Sequence, residues 1–66
     1  MKILVNGKEL IFPEKSSLSQ LLEILKIDSP RIACELNQQV VKKAGYSVTM
    51  LKEGDNLEII QFMGGG

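Results

Sequence analysis

The chain contains no histidine and no tryptophan, one cysteine, one tyrosine and two phenylalanines in 66 residues. A lone cysteine rules out a disulfide framework within the chain and fits a reducing interior. Without histidine, the most common general acid–base and metal-ligating side chain is missing. Charge of either sign is also lacking in excess, because eight Lys and Arg balance eight Asp and Glu. The longest basic run is Lys42-Lys43, and stacking aromatics are scarce. A nucleic-acid binder ordinarily shows a basic face with aromatic platforms, so that class is not supported. No apolar run approaches the roughly 20 residues that a helical membrane span needs. The N-terminus lacks the charged, apolar and small-residue order of a signal peptide, and a cytoplasmic location is the expectation. A chain of this size makes one domain that buries on the order of 60% of its surface. So small a core leaves little volume for an enclosed catalytic site.

Against those absences, the sequence carries clear local signals. Asn6-Gly7 between Lys2–Val5 and Lys8–Phe12 is a strong short hairpin signal, since a type I′ turn needs positive φ at both central positions. Pro13 ends the second strand because it has no N–H for the ladder. Ser17 and Gln20 have the spacing of a capping box. Leu18, Leu21, Leu22 and Leu25 then form one apolar stripe, which predicts a helix from Leu18 to about Lys26 with those leucines in the core. Ile32–Leu36 reads as a strand, Asn37-Gln38 as a turn, and Gln39–Val41 as a short paired segment. Lys42–Tyr46 reads as a polar connection bending at Gly45, and Ser47–Leu51 as an extended or edge segment. Glu53–Asn56 is a turn into a last strand, Leu57–Phe62. One helix and four or five strands satisfy their apolar faces only as a single sheet covered on one side. Placing the Ile-rich last strand parallel to the first, as a buried central strand, gives an α+β β-grasp fold. The expected fold is a mixed four- to five-stranded sheet with one helix on one face. The domain is expected to span 1–63 and to be followed by a tail, 64–66.

The candidate chemistry is sparse in the body and concentrated at the end. Cys34 sits mid-strand with no histidine to lower its pKa, so it reads as a small core hydrophobe and not as a nucleophile. Asp28, Glu35, Glu53, Asp55 and Glu58 are scattered without ligand spacing, and no metal site is expected. Asn6-Gly7 and Gly54-Asp55 are turn chemistry and not phosphate cradles. The chain closes on Gly64-Gly65-Gly66 directly after a strand. Three such residues reach roughly 10 Å when extended, and without Cβ atoms they pass through narrow channels. An unhindered glycyl carboxylate on such an arm suits activation by ATP to an acyl-adenylate and displacement of AMP by a nucleophile. Gly66 is therefore the candidate site of modification, with Gly64 and Gly65 threading into a partner's active site. Phe62 reads either as the last core residue or as a contact, and Met63, an adaptable apolar side chain, as a partner contact.

The whole chain resembles ThiS-type sulfur carriers of thiamin thiazole biosynthesis, small ubiquitin-like β-grasp proteins. The resemblance lies in Ile3-Leu4-Val5-Asn6-Gly7-Lys8, the leucine-striped helix, Ile32–Asn37 followed by Val40-Val41, and Gly54 through Gly66. One departure follows Val41, where the family often has Pro-Arg and this chain has Lys42-Lys43. The resemblance implies that the chain is no enzyme and binds no cofactor itself. It implies that Gly66 is adenylated with ATP by a ThiF-like adenylyltransferase and becomes a thiocarboxylate. The sulfur would derive from cysteine through a donor such as a cysteine desulfurase, with delivery to a ThiG-like thiazole synthase. The small subunit of molybdopterin synthase, a ubiquitin-like protein modifier and a plain interaction domain stand as alternatives.

Overall fold

At Asn6-Gly7 the chain turns back on itself with φ of 51° and 84°, the left-handed pair that a type I′ turn requires. The turn joins β1 (Lys2–Val5) to β2 (Lys8–Ile11), which pair antiparallel from Lys2↔Ile11 to Val5↔Lys8. These features are seen in a computed structural model that describes residues 1–28 and 30–62. Strand β2 ends one residue before the expected Phe12. The Phe12 N–H still donates to the Met1 carbonyl at 2.8 Å, and its ring is buried in the core.

Helix α1 (Leu18–Ile24) starts as its sequence dictates. The Ser17 hydroxyl accepts from the Gln20 N–H at 3.1 Å, and the Gln20 side-chain oxygen accepts from the Ser17 N–H at 2.8 Å, closing the capping box. Its end comes earlier than the expected Lys26. Leu25 is the cap, and Lys26 adopts φ of 59°. The Lys26 N–H donates to the Glu23 carbonyl and the Ile27 N–H to the Leu22 carbonyl, both at 2.9 Å. This is a Schellman closure, made here with lysine where glycine is usual.

Strands β3 (Ile32–Leu36) and β4 (Gln39–Val41) form a second hairpin through Asn37 and Gln38, whose φ values are 51° and 70°. A short 3₁₀ turn, Lys43–Gly45, follows. The next segment, Ser47–Leu51, is not the extended or edge segment expected. The Val48 and Thr49 N–H groups and the Thr49 hydroxyl all donate to the Gly45 carbonyl, coiling the chain into a turn. Only an isolated bridge from Met50 to Ser17 remains of the expected segment.

Strand β5 (Asn56–Gln61) completes a five-stranded sheet of order β2-β1-β5-β3-β4. It runs parallel to β1 and antiparallel to β3. Ile3, Val5, Ile32, Cys34, Leu57 and Ile59 from the sheet close one core with Leu18, Leu21 and Leu22 of the helix. β5 is central, as expected, but it is not buried on both faces. Leu57 and Ile59 are buried, while Ile60 is 43% exposed. A single helix covers one side only, so the strand alternates inward and outward. No helix among the described residues is long and apolar enough to cross a membrane.

Candidate functional site

The end of β5 is where the sequence places the chemistry. The Phe62 N–H donates to the Arg31 carbonyl at 2.8 Å, holding the last described residue against the chain entering β3. Phe62 is 57% exposed, which excludes the reading of its ring as the last core side chain and fits a contact residue. Met63, Gly64, Gly65 and Gly66, the other site residues read from the sequence, lie outside the described residues.

Register defines the surface around this end. Ala33 pairs with Ile60, Glu35 with Glu58, and Glu35 with Val40, so these residues share the face that α1 leaves uncovered. Alternation puts Phe62 on the same side. Ile60, Val40 and Phe62 are all exposed. The uncovered face therefore carries Ile60 and Phe62 toward the chain end and, behind them, a row in which Glu58 and Glu35 stand directly opposed beside Val40. Apolar groups gathered on one open face mark an interaction surface more often than scattered single ones do.

The body offers little reactive chemistry. Cys34 is a free thiol sealed in the core, as its sequence setting suggested. The nearby Tyr46 hydroxyl has its pKa pushed up to about 12, first by burial, then by side-chain hydrogen bonding toward Cys34 and the charge a Cys34 thiolate would carry. Asp55 is buried, but its carboxylate serves a turn, accepting from the Lys52 N–H at 2.8 Å and from Asn37 Nδ2 at 3.1 Å. Among the described residues no three His, Cys, Asp or Glu side chains are grouped to hold a metal ion. A groove of about 810 Å³ runs over Leu22, Ile27, Ile32 and Tyr46, rimmed by Glu23, Lys26, Asp28 and Lys43. Its rim carries both signs of charge, and Lys43 Nζ is engaged with the Pro30 carbonyl at 2.9 Å. One residue had been read only as a turn former: the Asn6 side chain bonds to Ile59 of β5 through both its oxygen and its nitrogen.

A mixed sheet with the first and last strands parallel at its centre, closed over one helix, defines a β-grasp, ubiquitin-like protein. The family model of the ThiS family matches residues 2–66. The chain belongs to the ThiS family, the sulfur carriers of thiamin biosynthesis. The fold matches the crystal structure of a thiamine biosynthesis protein (ThiS) from Geobacter metallireducens, with a TM-score of 0.86, 35% identity and full coverage of both chains. A thiazole synthase of Paramagnetospirillum magneticum is 39% identical over all 66 residues, and a Porphyra purpurea protein called ycf40 is 35% identical over the same length. The chain spans 20% of that thiazole synthase and 93% of the Porphyra protein.

Proposed function

We propose that this chain carries sulfur on its C-terminal glycine for thiazole formation, acting in the cytoplasm as a co-substrate of other enzymes. The observation that carries this reading is the placement of β5. The sheet's central strand is also the last, and Ile60 and Phe62 are exposed at its end. A partner that grips the uncovered face through Ile60, Phe62 and Met63 would take up the segment Gly64-Gly65-Gly66 with it. The glycines add no side-chain bulk, and ordering each one costs about 1–2 kcal/mol of backbone entropy. Affinity must therefore come from the folded face.

In the first step a ThiF-like adenylyltransferase binds ATP, and the Gly66 carboxylate attacks its α-phosphorus, releasing pyrophosphate and leaving an acyl-adenylate. In the second, the outer sulfur of a persulfide that a desulfurase forms from cysteine attacks the acyl carbon and AMP leaves, giving an acyl disulfide. A thiol reductant then cleaves its S–S bond, which releases the thiocarboxylate. The recipient is a ThiG-like thiazole synthase. Proteins named thiazole synthase contain a stretch similar to the entire chain, which supports such an enzyme as partner. The burial of Cys34 in the core fits a body that leaves catalysis to its partners.

The test is reconstitution of thiazole formation with the activating enzyme, ATP, a sulfur source and the synthase. The intact chain should support turnover, and a variant lacking Gly65 and Gly66 should not. Thiazole formation by the shortened variant would overturn the reading.

A further inference from the structure

Strand β5 has unequal support along its two edges. On one edge β3 accompanies it to the end, with Ile32 opposite Gln61 and the Arg31 carbonyl accepting the Phe62 N–H. On the other edge β1 accompanies it for two positions only, Leu4↔Asn56 and Val5↔Leu57. β1 must then turn away at Asn6-Gly7 to become β2. In a strand, alternate residues direct their N–H and C=O groups to the same edge. The Leu57 carbonyl uses that edge to accept from the Asn6 N–H at 2.9 Å. The next residue facing it is Ile59, where the backbone of β1 has already left.

The Asn6 side chain takes the place of the missing strand. Its Oδ1 accepts from the Ile59 N–H at 2.7 Å, and its Nδ2 donates to the Ile59 carbonyl at 3.2 Å. A carboxamide is the chemical equal of a peptide group, so one side chain supplies both halves of one further rung. Ile59 is also the last position of β5 that receives support on this edge among the described residues. Gln61 and Phe62 follow, and after them the four residues that close the chain.

We propose that Asn6 is a positioning residue for the carboxyl terminus: by clamping β5 at Ile59 it fixes the line along which the chain leaves the sheet toward the activating enzyme. The proposal rests on the reading of Gly66 as the acyl end. A carboxylate carried on a glycine arm is delivered only as accurately as the strand from which the arm starts. A misplacement of about 1 Å at a reacting group can lower the rate of a step by about a hundredfold. The Asn6 amide does not belong to the apolar face formed by Ala33, Val40, Ile60 and Phe62, so its loss should affect turnover more than docking.

Asn6 also holds φ of 51° in the hairpin, so the informative variant keeps the turn and removes the amide. Asn6→Gly does this, because glycine accepts positive φ without strain. Asn6→Asp also tolerates the turn and keeps the acceptor for the Ile59 N–H, but turns a carboxylate oxygen toward the Ile59 carbonyl. Two readouts are taken on the full chain. In the first, adenylation by the activating enzyme should show kcat lowered about tenfold to a hundredfold for Asn6→Gly, with KM unchanged, and partly recovered in Asn6→Asp. In the second, made without any enzyme, amide exchange at Ile59 should accelerate and the NMR order parameters of Gln61 and Phe62 should fall. The amides of Ile3 and Leu57 should keep their protection, which reports an intact core.

A wild-type kcat in Asn6→Gly, with or without faster exchange at Ile59, overturns the positioning role. Unchanged exchange and order parameters overturn the clamp itself. If the wild-type chain is not adenylated at all, the carrier reading fails on its own, and the enzyme-free measurements still decide whether Asn6 sets the path of Gln61 and Phe62. If Asn6→Gly fails to fold, the same measurements on Asn6→Asp decide the matter.

Discussion

Tyr46 shows most directly how surroundings alter a side chain in this protein. As the sole tyrosine in a chain without tryptophan, it can be followed by its own ultraviolet absorbance. Its hydroxyl is expected to ionise near pH 12 and not near 10. Because the folded-state pKa is raised, the unfolded chain loses this proton first as pH rises. The stabilisation is thus fully present below about pH 10, the ordinary tyrosine value, and is lost as pH climbs toward 12. Denaturant melts should show that decline, and Tyr46→Phe should flatten it. An ordinary titration midpoint near 10 would contradict the burial and the Cys34 bond together. At this scale Cys34 was legible in the sequence as a core residue, set mid-strand with no histidine in the chain, and the structure buries it. The sequence did not reveal Tyr46 as the neighbour of Cys34, since the two lie twelve positions apart across a strand reversal. Asn6 was legible only in part. Its place before Gly7 marks a turn, but the bond to Ile59 spans 53 positions of sequence, and no local pattern encodes it.

Helix α1 shows what local patterning encodes and what it leaves out. Its start was legible in Ser17 and Gln20, because the capping box is a fixed spacing of two side chains. Its end was not, because the αL position is filled by Lys26 and carries no glycine to announce it. A lysine held there is strained relative to glycine, so Lys26→Gly should raise unfolding stability by about 0.5–1 kcal/mol, after allowing for the larger entropy of the unfolded glycine chain. A destabilised Lys26→Gly variant would show that the lysine stem contributes more than its backbone strain removes. Leu22 is buried against the sheet, and Leu22→Ala should lower stability by about 2–5 kcal/mol in the same melts. A change near zero would mean that the helix does not cover the sheet. The Ser47–Leu51 segment misled for a physical reason. Val48 and Met50 alternate as strand residues do, yet they are exposed, and three hydrogen bonds to the Gly45 carbonyl coil the chain instead.

For the whole molecule, the topology followed from a count of elements. Two hairpins, one helix and a final strand can cover only one side of one sheet, and the last strand then settles in the centre. The open side was expected, but its consequence for the last strand was missed. Ile60 looked like part of a fully buried run, whereas it lies half exposed on the face that holds Val40, Glu35 and Glu58. That face and Phe62 form the part of the site that the structure describes, and the glycines are the part that the sequence supplies. If the face docks the activating enzyme, Ile60→Ala combined with Phe62→Ala should raise KM for adenylation by about tenfold, as for the loss of contact residues worth 1.4 kcal/mol. The melting midpoint should change little, because neither side chain is sealed in the core. An unchanged KM would move docking to another surface.

The most direct single measurement is intact-protein mass spectrometry of the chain after incubation with the activating enzyme, ATP and a sulfur source, followed by fragmentation to locate the change. The mass should rise by the replacement of one oxygen with sulfur, confined to Gly66. An unchanged mass, or sulfur found on Cys34, would contradict a carrier that works through its terminal glycine.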